Sequence, residues 1–433
     1  MSSLKNRNIN FNLKVFALIT FLFSTTRYTE FIYRYSIYPI VIFGSIFFLW
    51  NIFRRNFKLN KIDYASLVFL IGFVITILLN KNHNIILQGF VLLCTMMYFN
   101  FFFSSDLGDS EELERENHLI MYIIVAFTLT CAIISFIVLR YDLVNKLNHS
   151  FVLHGGTEFQ LKGIYSGLAT QAIMSGISAI ASMYFIYSEL TLKRRKKIIA
   201  INGINFLIED CFLTMSYTSA GIVAFGVATF VGLFLIFNNE VKKKNQKSYF
   251  IIGIIIIFIL VLHYKGINYT SKKIVNSMFD SSYYKNLEIK SDDASDELFS
   301  SNGRFEIWKN AIASWENKPI FGNGYGTFNT KIPIKGGFIK YKNTHNGYIE
   351  VLYSCGLWGF ISMMVFGTYY LSRLIFISIV NKKREYVLYS MIVIHACLYC
   401  CVNQQFILDR CLNMLLLCIF LGMTRKQTIL KKG

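Results

Sequence analysis

Apolar residues occur in long uninterrupted runs along the chain, and short polar segments separate them. The run at 248–264, SYFIIGIIIIFILVLHY, shows none of the two-residue alternation of a half-buried strand. Runs of roughly 17–25 apolar residues have the length of a helix that crosses a bilayer. The pattern predicts twelve membrane-spanning helices, at residues 13–26, 36–53, 63–79, 85–103, 119–139, 165–188, 198–214, 219–237, 249–264, 347–372, 387–402 and 411–423.

Two of the polar segments are long, at 140–164 and 265–346, and loops of that length are uncommon without a function. The second contains an acidic stretch and then RFEIWKNAIASWENK at 304–318, where apolar residues recur near helical spacing. This predicts an amphipathic helix, ended by Pro319, whose apolar face lies on the membrane surface or caps the helical bundle. We expect residues 1–433 to form a single membrane domain that contains 265–346 as its one very long loop.

Composition supports this class and predicts an orientation. Hydrophobic residues make up 54% of the chain and charged residues only 16%, against about 25% charged in an ordinary soluble domain. If the N-terminus is inside, 25 of the 44 Lys and Arg fall in inside segments and 7 in short outside turns. This excess predicts cytoplasmic termini and an extracytoplasmic 265–346 loop. It also explains most of the net charge of +19 without nucleic acid as a partner.

The outer end of the tenth predicted span carries the first candidate for chemistry, His345. A lone loop histidine usually has no role, but this one lies where a side chain can face both water and a cavity. An imidazole with an ordinary pKa of about 6.5 can accept a proton from an alcohol. Asn346 and Glu350 follow on one side of the next helix. Glu350 lies about one turn into the apolar run, where an ionisable group is expensive and therefore a functional candidate.

Arg304 is the second candidate, because a guanidinium in the turn Asn302-Gly303-Arg304 suits bidentate phosphate binding. An exposed arginine at a helix start is the alternative. The cluster GNGYG at 322–326 lacks the Gly-Lys-Ser/Thr ending of a phosphate-binding loop. We therefore interpret Gly324 as part of a tight turn that allows close backbone approach, and include it among the substrate-binding candidates.

Other polar residues are predicted to face the same outer side. Lys162 precedes the sixth span, Tyr217 follows the seventh, and Arg410 precedes the last. Together with the long loop they predict an outward-facing polar cavity. The seventh span also contains two adjacent acids, Glu209 and Asp210, which indicate either a proton- or cation-coupled transporter or a polar contact between helices.

Residues 301–359 resemble the signature region of the bacterial O-antigen ligase and polysaccharide polymerase superfamily. The shared pattern is N-G-R, then I-W, then K-P-I-F-G-N-G-Y-G, a polar spacer, and T-H-N-G-Y…G-L-W-G. The twelve-span layout with one long outer loop is similar as well. The resemblance implies an all-α, polytopic membrane bundle of the GT-C-like kind, with short helices in the loop.

The resemblance further implies an inverting glycosyltransferase at the outer face of the bacterial cytoplasmic membrane. Its donor would be an oligosaccharide on undecaprenyl pyrophosphate, and its acceptor a sugar hydroxyl on another lipid-linked repeat unit or on a lipid core. His345 matches the loop base that activates the acceptor hydroxyl, and Arg304 matches the loop arginine that binds the donor pyrophosphate. No metal, nucleotide sugar or other cofactor is implied. Membrane lipids, a flippase and a chain-length regulator are the expected partners.

One position departs from the family pattern. Members often have Ser-Arg where this chain has Ser216-Tyr217, so the second arginine for the pyrophosphate is missing there. Lys162, Arg140 or Arg410 could replace it, although lysine and arginine are not freely exchangeable at a phosphate.

The sequence therefore predicts a polymerase of a surface polysaccharide, such as a capsule, exopolysaccharide or O-antigen. A ligase is the nearest alternative, because the shared motif does not encode the acceptor. A transporter or flippase of lipid-linked glycan, built around Glu209 and Asp210, is the alternative of a different class. The sequence lacks the paired interrupted helices that are typical of transporters.

Overall fold

The computed structural model describes residues 2–81, 84–107, 109–140, 151–154, 158–161, 163–192, 195–216, 218–240, 246–278, 301–334, 337–381, 383–403, 408 and 411–430. Helices dominate this part of the chain. They are α1 (Ser2–Ser24), α2 (Glu30–Phe53), α3 (Asp63–Leu79), α4 (Ile85–Phe103), α5 (Ser110–Arg140), α6 (Leu168–Leu192), α7 (Lys196–Met215), α8 (Ser219–Glu240), α9 (Gln246–Met278), α10 (Ser301–Trp315), α11 (Gly347–Asn381), α12 (Arg384–Cys400) and α13 (Leu412–Leu430).

The predicted fold class, an all-α polytopic membrane protein, is confirmed. In the described ranges, eight helices are long and apolar enough to cross a membrane: α2, α4, α5, α6, α7, α8, α9 and α11. Three shorter apolar stretches lie in α1, α3 and α13. Each of the twelve predicted segments overlaps a separate helix, while α9 continues to Met278, well beyond the predicted end at 264. The number of helices that cross the bilayer stays a prediction.

The helices differ in how far the rest of the bundle encloses them. α6 packs against α5, α7, α8 and α12 and is the most enclosed of the candidate spans. α9 packs against α7 and α8 and is the least enclosed. Most described apolar side chains of α9 are therefore exposed on the surface of the bundle, which is the pattern expected of a helix that crosses a bilayer.

A buried ion pair ties the C-terminal helix to the start of α3. The Arg425 Nε donates to Asp63 Oδ2 at 3.0 Å, and both side chains are fully buried. The Tyr370 hydroxyl donates to the other oxygen of Asp63. The Arg425 guanidinium also lies 4.8 Å from the centroid of the Phe103 ring, which provides a cation–π contact. The bundle end that holds α3, α11 and α13 is thus fixed by charge as well as by packing.

The described part of the chain contains four β-strands, which form two hairpins. The pair β1 (Phe151–His154) and β2 (Glu158–Leu161) is antiparallel, and so is β3 (Thr330–Ile334) with β4 (Gly337–Tyr341). In sequence, residues 330–341 fall in the polar spacer of the motif, and the hairpin there was not predicted. It packs on α10 and on the start of α11 around a small separate core of Ile307, Ala311, Phe328, Ile332 and Tyr353.

This small core shows that part of the apolar face of the amphipathic helix packs against the bundle. Ile307 and Ala311 of α10 are buried in it, and Trp315 packs against its edge. Ile312 remains 39% exposed. The apolar face of α10 is therefore used mainly to cap the bundle, through the hairpin and α11. We call α10, the turn at 319–326 and the β3–β4 hairpin the loop module.

α11 is interrupted at Gly356, and the glycine turn of the loop module inserts there. Gly356 has φ +65° and ψ −167°, a conformation that essentially only glycine adopts. Four backbone hydrogen bonds cross from the turn to the break. They join Asn323 N to Tyr353 O (2.9 Å), Gly324 N to Ser354 O (3.0 Å), Leu357 N to Pro319 O (2.8 Å) and Trp358 N to Ile320 O (3.1 Å).

The two backbones meet so closely because both carry glycine at the contact. A Cβ on Gly322 would lie 2.6 Å from the Gly356 nitrogen. Side chains of α3 hold the turn from the other side: the Thr76 hydroxyl donates to the Phe321 carbonyl at 2.7 Å, and Asn80 Nδ2 donates to the Gly322 carbonyl at 3.3 Å. An interrupted helix within a membrane protein must have its freed backbone groups satisfied by protein, and the turn does this.

Candidate active site

His345 occupies the junction between β4 and α11. Its backbone φ is +50°, in the left-handed region that His, Asn and Asp enter more readily than other non-glycine residues. The Trp308 Nε1 donates to the carbonyl of Thr344 at 3.0 Å. The Thr344 N–H donates to Glu350 Oε2 at 3.2 Å. The residue before His345 is therefore held from α10 on one side and from α11 on the other.

Asn346 caps α11 and joins it to α12. Its Oδ1 accepts from the N–H groups of Tyr348 at 2.9 Å and Ile349 at 3.1 Å, as an N-cap residue does. Its Nδ2 donates to the Cys401 carbonyl at 2.7 Å. Both ends of the side-chain amide are thus used in structure, and Asn346 fixes where the chain leaves His345.

Arg304 lies one helical turn before Trp308 on α10 and is half-buried, as is His345. Burial, and then the positive charge of Arg304, lower the pKa of His345 below its usual value. Near pH 7 the imidazole is therefore neutral and can accept a proton. The Tyr341 ring meets the imidazole edge-to-face, with centroids 5.7 Å apart. Among the described residues, no carboxylate forms an ion pair with Arg304.

Glu350 and Gly324 face the interior of the protein. Glu350 is 5% exposed, and its Oε1 accepts from the Ser354 hydroxyl at 3.2 Å while Oε2 holds Thr344. A Cβ on Gly324 would lie 2.8 Å from Gln88 Oε1. In this structure Glu350 supports the loop that carries His345, and Gly324 allows close packing of the turn.

Three predicted contributors to the cavity, Lys162, Tyr217 and Arg410, lie outside the described residues, as does the side chain of Arg140. The outward cavity predicted from them stays a prediction.

Sequence reasoning did not single out Trp308, Thr344 or Tyr399. The signal for two of them was present, because Trp308 is the tryptophan of the shared I-W and Thr344 precedes the histidine in T-H-N-G-Y. Tyr399 lies in an apolar run with nothing in its surroundings to mark it. Its hydroxyl donates to the Ala169 carbonyl at 3.0 Å, so it also links α12 to the start of α6.

The two adjacent acids of α7 point to different neighbours. Asp210 is bonded to His263 of α9. Glu209 is fully buried and lies beside hydroxyl groups of α5 and α6. No group of three or more His, Cys, Asp or Glu in the described part of the chain is arranged to hold a metal ion.

These features define a polytopic helical membrane protein in which Arg304 of the loop module lies near enough to His345, at the start of α11, for its charge to lower the pKa of the imidazole. Residues 204–364, from α7 into α11, match the model of the family described as O-antigen ligase. This confirms the resemblance to the O-antigen ligase and polymerase superfamily over that part of the chain. Arg304, Gly324, His345, Asn346 and Glu350 all lie in the matched region. A comparison with curated proteins gave no match.

Proposed function

We propose that the protein transfers an oligosaccharide from a lipid pyrophosphate to a sugar hydroxyl, with His345 and Arg304 as the catalytic pair. The domain match supports a glycosyltransferase of the O-antigen ligase and polymerase type. The observation that supports the more specific proposal is that Arg304 lies near enough for its charge to lower the pKa of His345, in addition to the larger effect of burial. Glycosyl transfer from a lipid pyrophosphate needs a base that accepts the proton of the acceptor hydroxyl and a cation that offsets the charge on the pyrophosphate.

The proposed reaction is a single displacement at the anomeric carbon of the donor sugar. The acceptor oxygen forms the new glycosidic bond as its proton passes to His345. The bond from the anomeric carbon to the phosphate oxygen breaks, and the lipid pyrophosphate leaves with the electron pair. Arg304 offsets the charge that grows on that leaving group. Attack opposite the leaving group inverts the anomeric centre.

The remaining site residues have supporting parts in this proposal. Asn346 and Glu350 hold the His345 loop in the geometry described above, because the nitrogen of a general base must stay within about 3 Å of the oxygen whose proton it accepts. Lys162, Tyr217 and Arg410 are proposed to bind the rest of the donor from the neighbouring loops. The site is proposed to face away from the cytoplasm, with both termini inside, at the bacterial cytoplasmic membrane.

Polymerisation of repeat units, for a capsule, exopolysaccharide or O-antigen, is the reaction that we favour. A ligase would use the same pair, so the acceptor must be tested separately. Purified protein supplied with undecaprenyl-pyrophosphate-linked repeat units alone should lengthen them if it is a polymerase. Transfer that requires a different acceptor would instead identify a ligase. A flippase and a chain-length regulator remain proposed partners.

The catalytic assignment is tested by His345→Asn and Arg304→Ala in cells that make the glycan. Asparagine tolerates the positive φ of position 345, so the backbone is preserved while the base is lost. Losing a general base lowers the rate by about 10²- to 10⁴-fold, which should abolish long chains on a gel. Lys309→Ala, an exposed residue of the same helix, is the matched control for Arg304. Normal chain lengths in both site variants, at equal protein levels, would show that the pair is not catalytic.

A further inference from the structure

Tyr341 is an aromatic side chain of the loop module that meets the proposed base. Its ring lies edge-to-face against the imidazole of His345, with centroids 5.7 Å apart and planes at 81°. The side chain is only partly buried, and no described residue forms a hydrogen bond with its hydroxyl group. Tyr341 therefore keeps both an apolar ring surface and a polar hydroxyl available to a ligand beside the imidazole.

The β3–β4 hairpin fixes the position of this ring. Tyr341 pairs with Thr330 in the antiparallel ladder, and Asn310 Nδ2 of α10 donates to the Thr330 hydroxyl at 2.9 Å. The ring packs against the edge of the small core, on the same face of the hairpin as the buried Ile332. A side chain already held in this way loses little freedom when a ligand covers the rest of its ring.

Two neighbouring aromatic side chains do not combine these features. The Trp308 Nε1 is engaged by the carbonyl of Thr344 at 3.0 Å. Phe305 is 60% exposed, but its ring meets Trp308, with centroids 5.3 Å apart. Burial raises the pKa of Tyr341, so the phenol stays protonated near neutral pH and can donate a hydrogen bond.

The direction of the proposed displacement decides which substrate lies against Tyr341. The acceptor attacks opposite the bond that breaks, so the acceptor and the lipid pyrophosphate lie on opposite sides of the anomeric carbon. The base must lie within about 3 Å of the acceptor oxygen, whereas Arg304 is assigned to the pyrophosphate. A ring in contact with His345 therefore belongs to the acceptor side.

We propose that Tyr341 is a binding platform for the acceptor, on which the C–H face of a repeat-unit pyranose rests while one of its hydroxyl groups points to His345. A sugar offers C–H groups on its face and hydroxyl groups at its edge, which match the ring and the hydroxyl of a tyrosine. The inference rests on the proposed glycosyl transfer and adds a residue that positions its acceptor. Tyr341 itself takes no part in making or breaking bonds.

The test is equilibrium binding to the purified full-length protein in detergent. The probe is the free repeat-unit oligosaccharide of the organism's own surface glycan, labelled at its reducing end. It carries no pyrophosphate, so it can bind as an acceptor but not as a donor. Tyr341→Leu keeps an apolar side chain against the small core but removes the ring, and should raise Kd about 3- to 10-fold. Tyr341→Phe restores the ring and should recover most of that loss.

Phe338→Ala is the matched control. Phe338 lies on the same strand as Tyr341 and is 70% exposed, but it lies on the opposite face of the hairpin. Its replacement should leave Kd unchanged. An equal rise of Kd in Phe338→Ala and Tyr341→Leu, or no rise in Tyr341→Leu, would refute the platform.

Rates of transfer separate a platform from a residue that only orients the imidazole. At saturating labelled acceptor, Tyr341→Leu should transfer at close to the wild-type rate, because lost binding is then offset by concentration. A low rate at every acceptor concentration, with an unchanged Kd, would assign Tyr341 to the orientation of His345 and overturn the proposal.

His345→Asn distinguishes a failure of this inference from a failure of the proposed function. It should abolish transfer and leave the Kd of the oligosaccharide close to that of the wild type. If it does so while Tyr341→Leu binds normally, the proposed function stands and the platform falls. Transfer by His345→Asn would count against the proposed function, and the Kd values would still judge the platform.

Saturation-transfer NMR on the wild-type protein avoids reliance on a variant that fails to fold. Irradiation of aromatic protons, in an aliphatic detergent, should reach the C–H protons of one sugar of the bound oligosaccharide. The same signal should be weakened in Tyr341→Leu and kept in Phe338→Ala. Absence of transfer to the oligosaccharide in the wild type would overturn the proposal whatever the variants do.

Discussion

Replacing Gly356 by alanine tests the central architectural feature, the insertion of the glycine turn into α11. The substitution adds one methyl group at a residue with φ +65° and ψ −167°. The new Cβ would lie 2.3 Å from the Ile320 carbonyl oxygen. That oxygen belongs to a backbone that is itself bonded across the break, so it cannot rotate away as a side chain could.

The magnitude follows from the two ways in which the protein can respond. If the turn stays in place, alanine is strained by about 1–3 kcal/mol in this backbone region, and the clash adds to that. If the turn withdraws, the four backbone hydrogen bonds of the break are lost, at about 1 kcal/mol each. Either response lowers the free energy of unfolding by about 4 kcal/mol, which corresponds to a fall of about 4 °C in Tm for a chain of this length.

Thermal unfolding of the purified protein in detergent, followed by intrinsic fluorescence, measures this effect. Gly367→Ala is the matched control, because it lies in the same helix and an added Cβ has no neighbour within 4 Å. Alanine is favoured over glycine in a helix by about 1 kcal/mol, so this control should hold or raise Tm. If the two variants behave alike, the interruption at Gly356 does not depend on glycine and the account of the turn is wrong.

Two further predictions concern charge. The pH profile of transfer should show an acidic limb with a midpoint below pH 6.5, because burial and the charge of Arg304 both lower the pKa of His345. Activity falls as His345 becomes protonated, and a conservative loss of charge, Arg304→Gln, should move the limb to higher pH; a shift to lower pH would contradict this. Arg425→Met should lower the free energy of unfolding by about 3–5 kcal/mol, because it leaves Asp63 buried without its partner. Asp63→Asn in the same chain should restore part of that loss, and thermal unfolding that shows no such recovery would argue against the ion pair.

Much of the helical layout could be predicted from apolar periodicity, because membrane spans are long and uniform. Each predicted segment overlaps a separate helix, and α10 falls where RFEIWKNAIASWENK indicated it. The length of α9 was underestimated, since its outer turns contain Lys265 and Asn268 and no longer look like a span. Hydropathy shows which residues are suited to the bilayer interior. A helix can continue past that apolar stretch into polar surroundings, so hydropathy does not mark its end.

The glycine turn shows what sequence reasoning could not supply. Gly322, Gly324 and Gly356 were visible in the motif, and a tight turn was predicted at 322–326. That this turn pairs with the interruption of α11 is a contact between two backbones, and no side-chain pattern encodes it. The β3–β4 hairpin was missed because Pro333 and the lysines of 330–342 make the stretch look like a polar spacer.

For the candidate site as well, some features could be predicted from the sequence and others could not. Residue chemistry singled out His345 and Arg304, and in the structure the charge of Arg304 contributes to a lowered pKa of His345. It could not show that Glu350 turns inward to Thr344, because the direction of a side chain depends on the loop that packs over it. Whether these residues bind substrate remains a proposal.

The insertion of the glycine turn into α11 affects the order in which the protein can fold during its synthesis. Residues 319–326 are synthesised before α11, yet among the described residues four of their five backbone–backbone hydrogen bonds are made with α11. Thr76 and Asn80 hold the same turn from the end of α3. During biogenesis the turn therefore completes these backbone hydrogen bonds only after α11 has been made. The loop module cannot be cut out as an independently folding soluble piece, because its backbone is completed by helices that the membrane assembles.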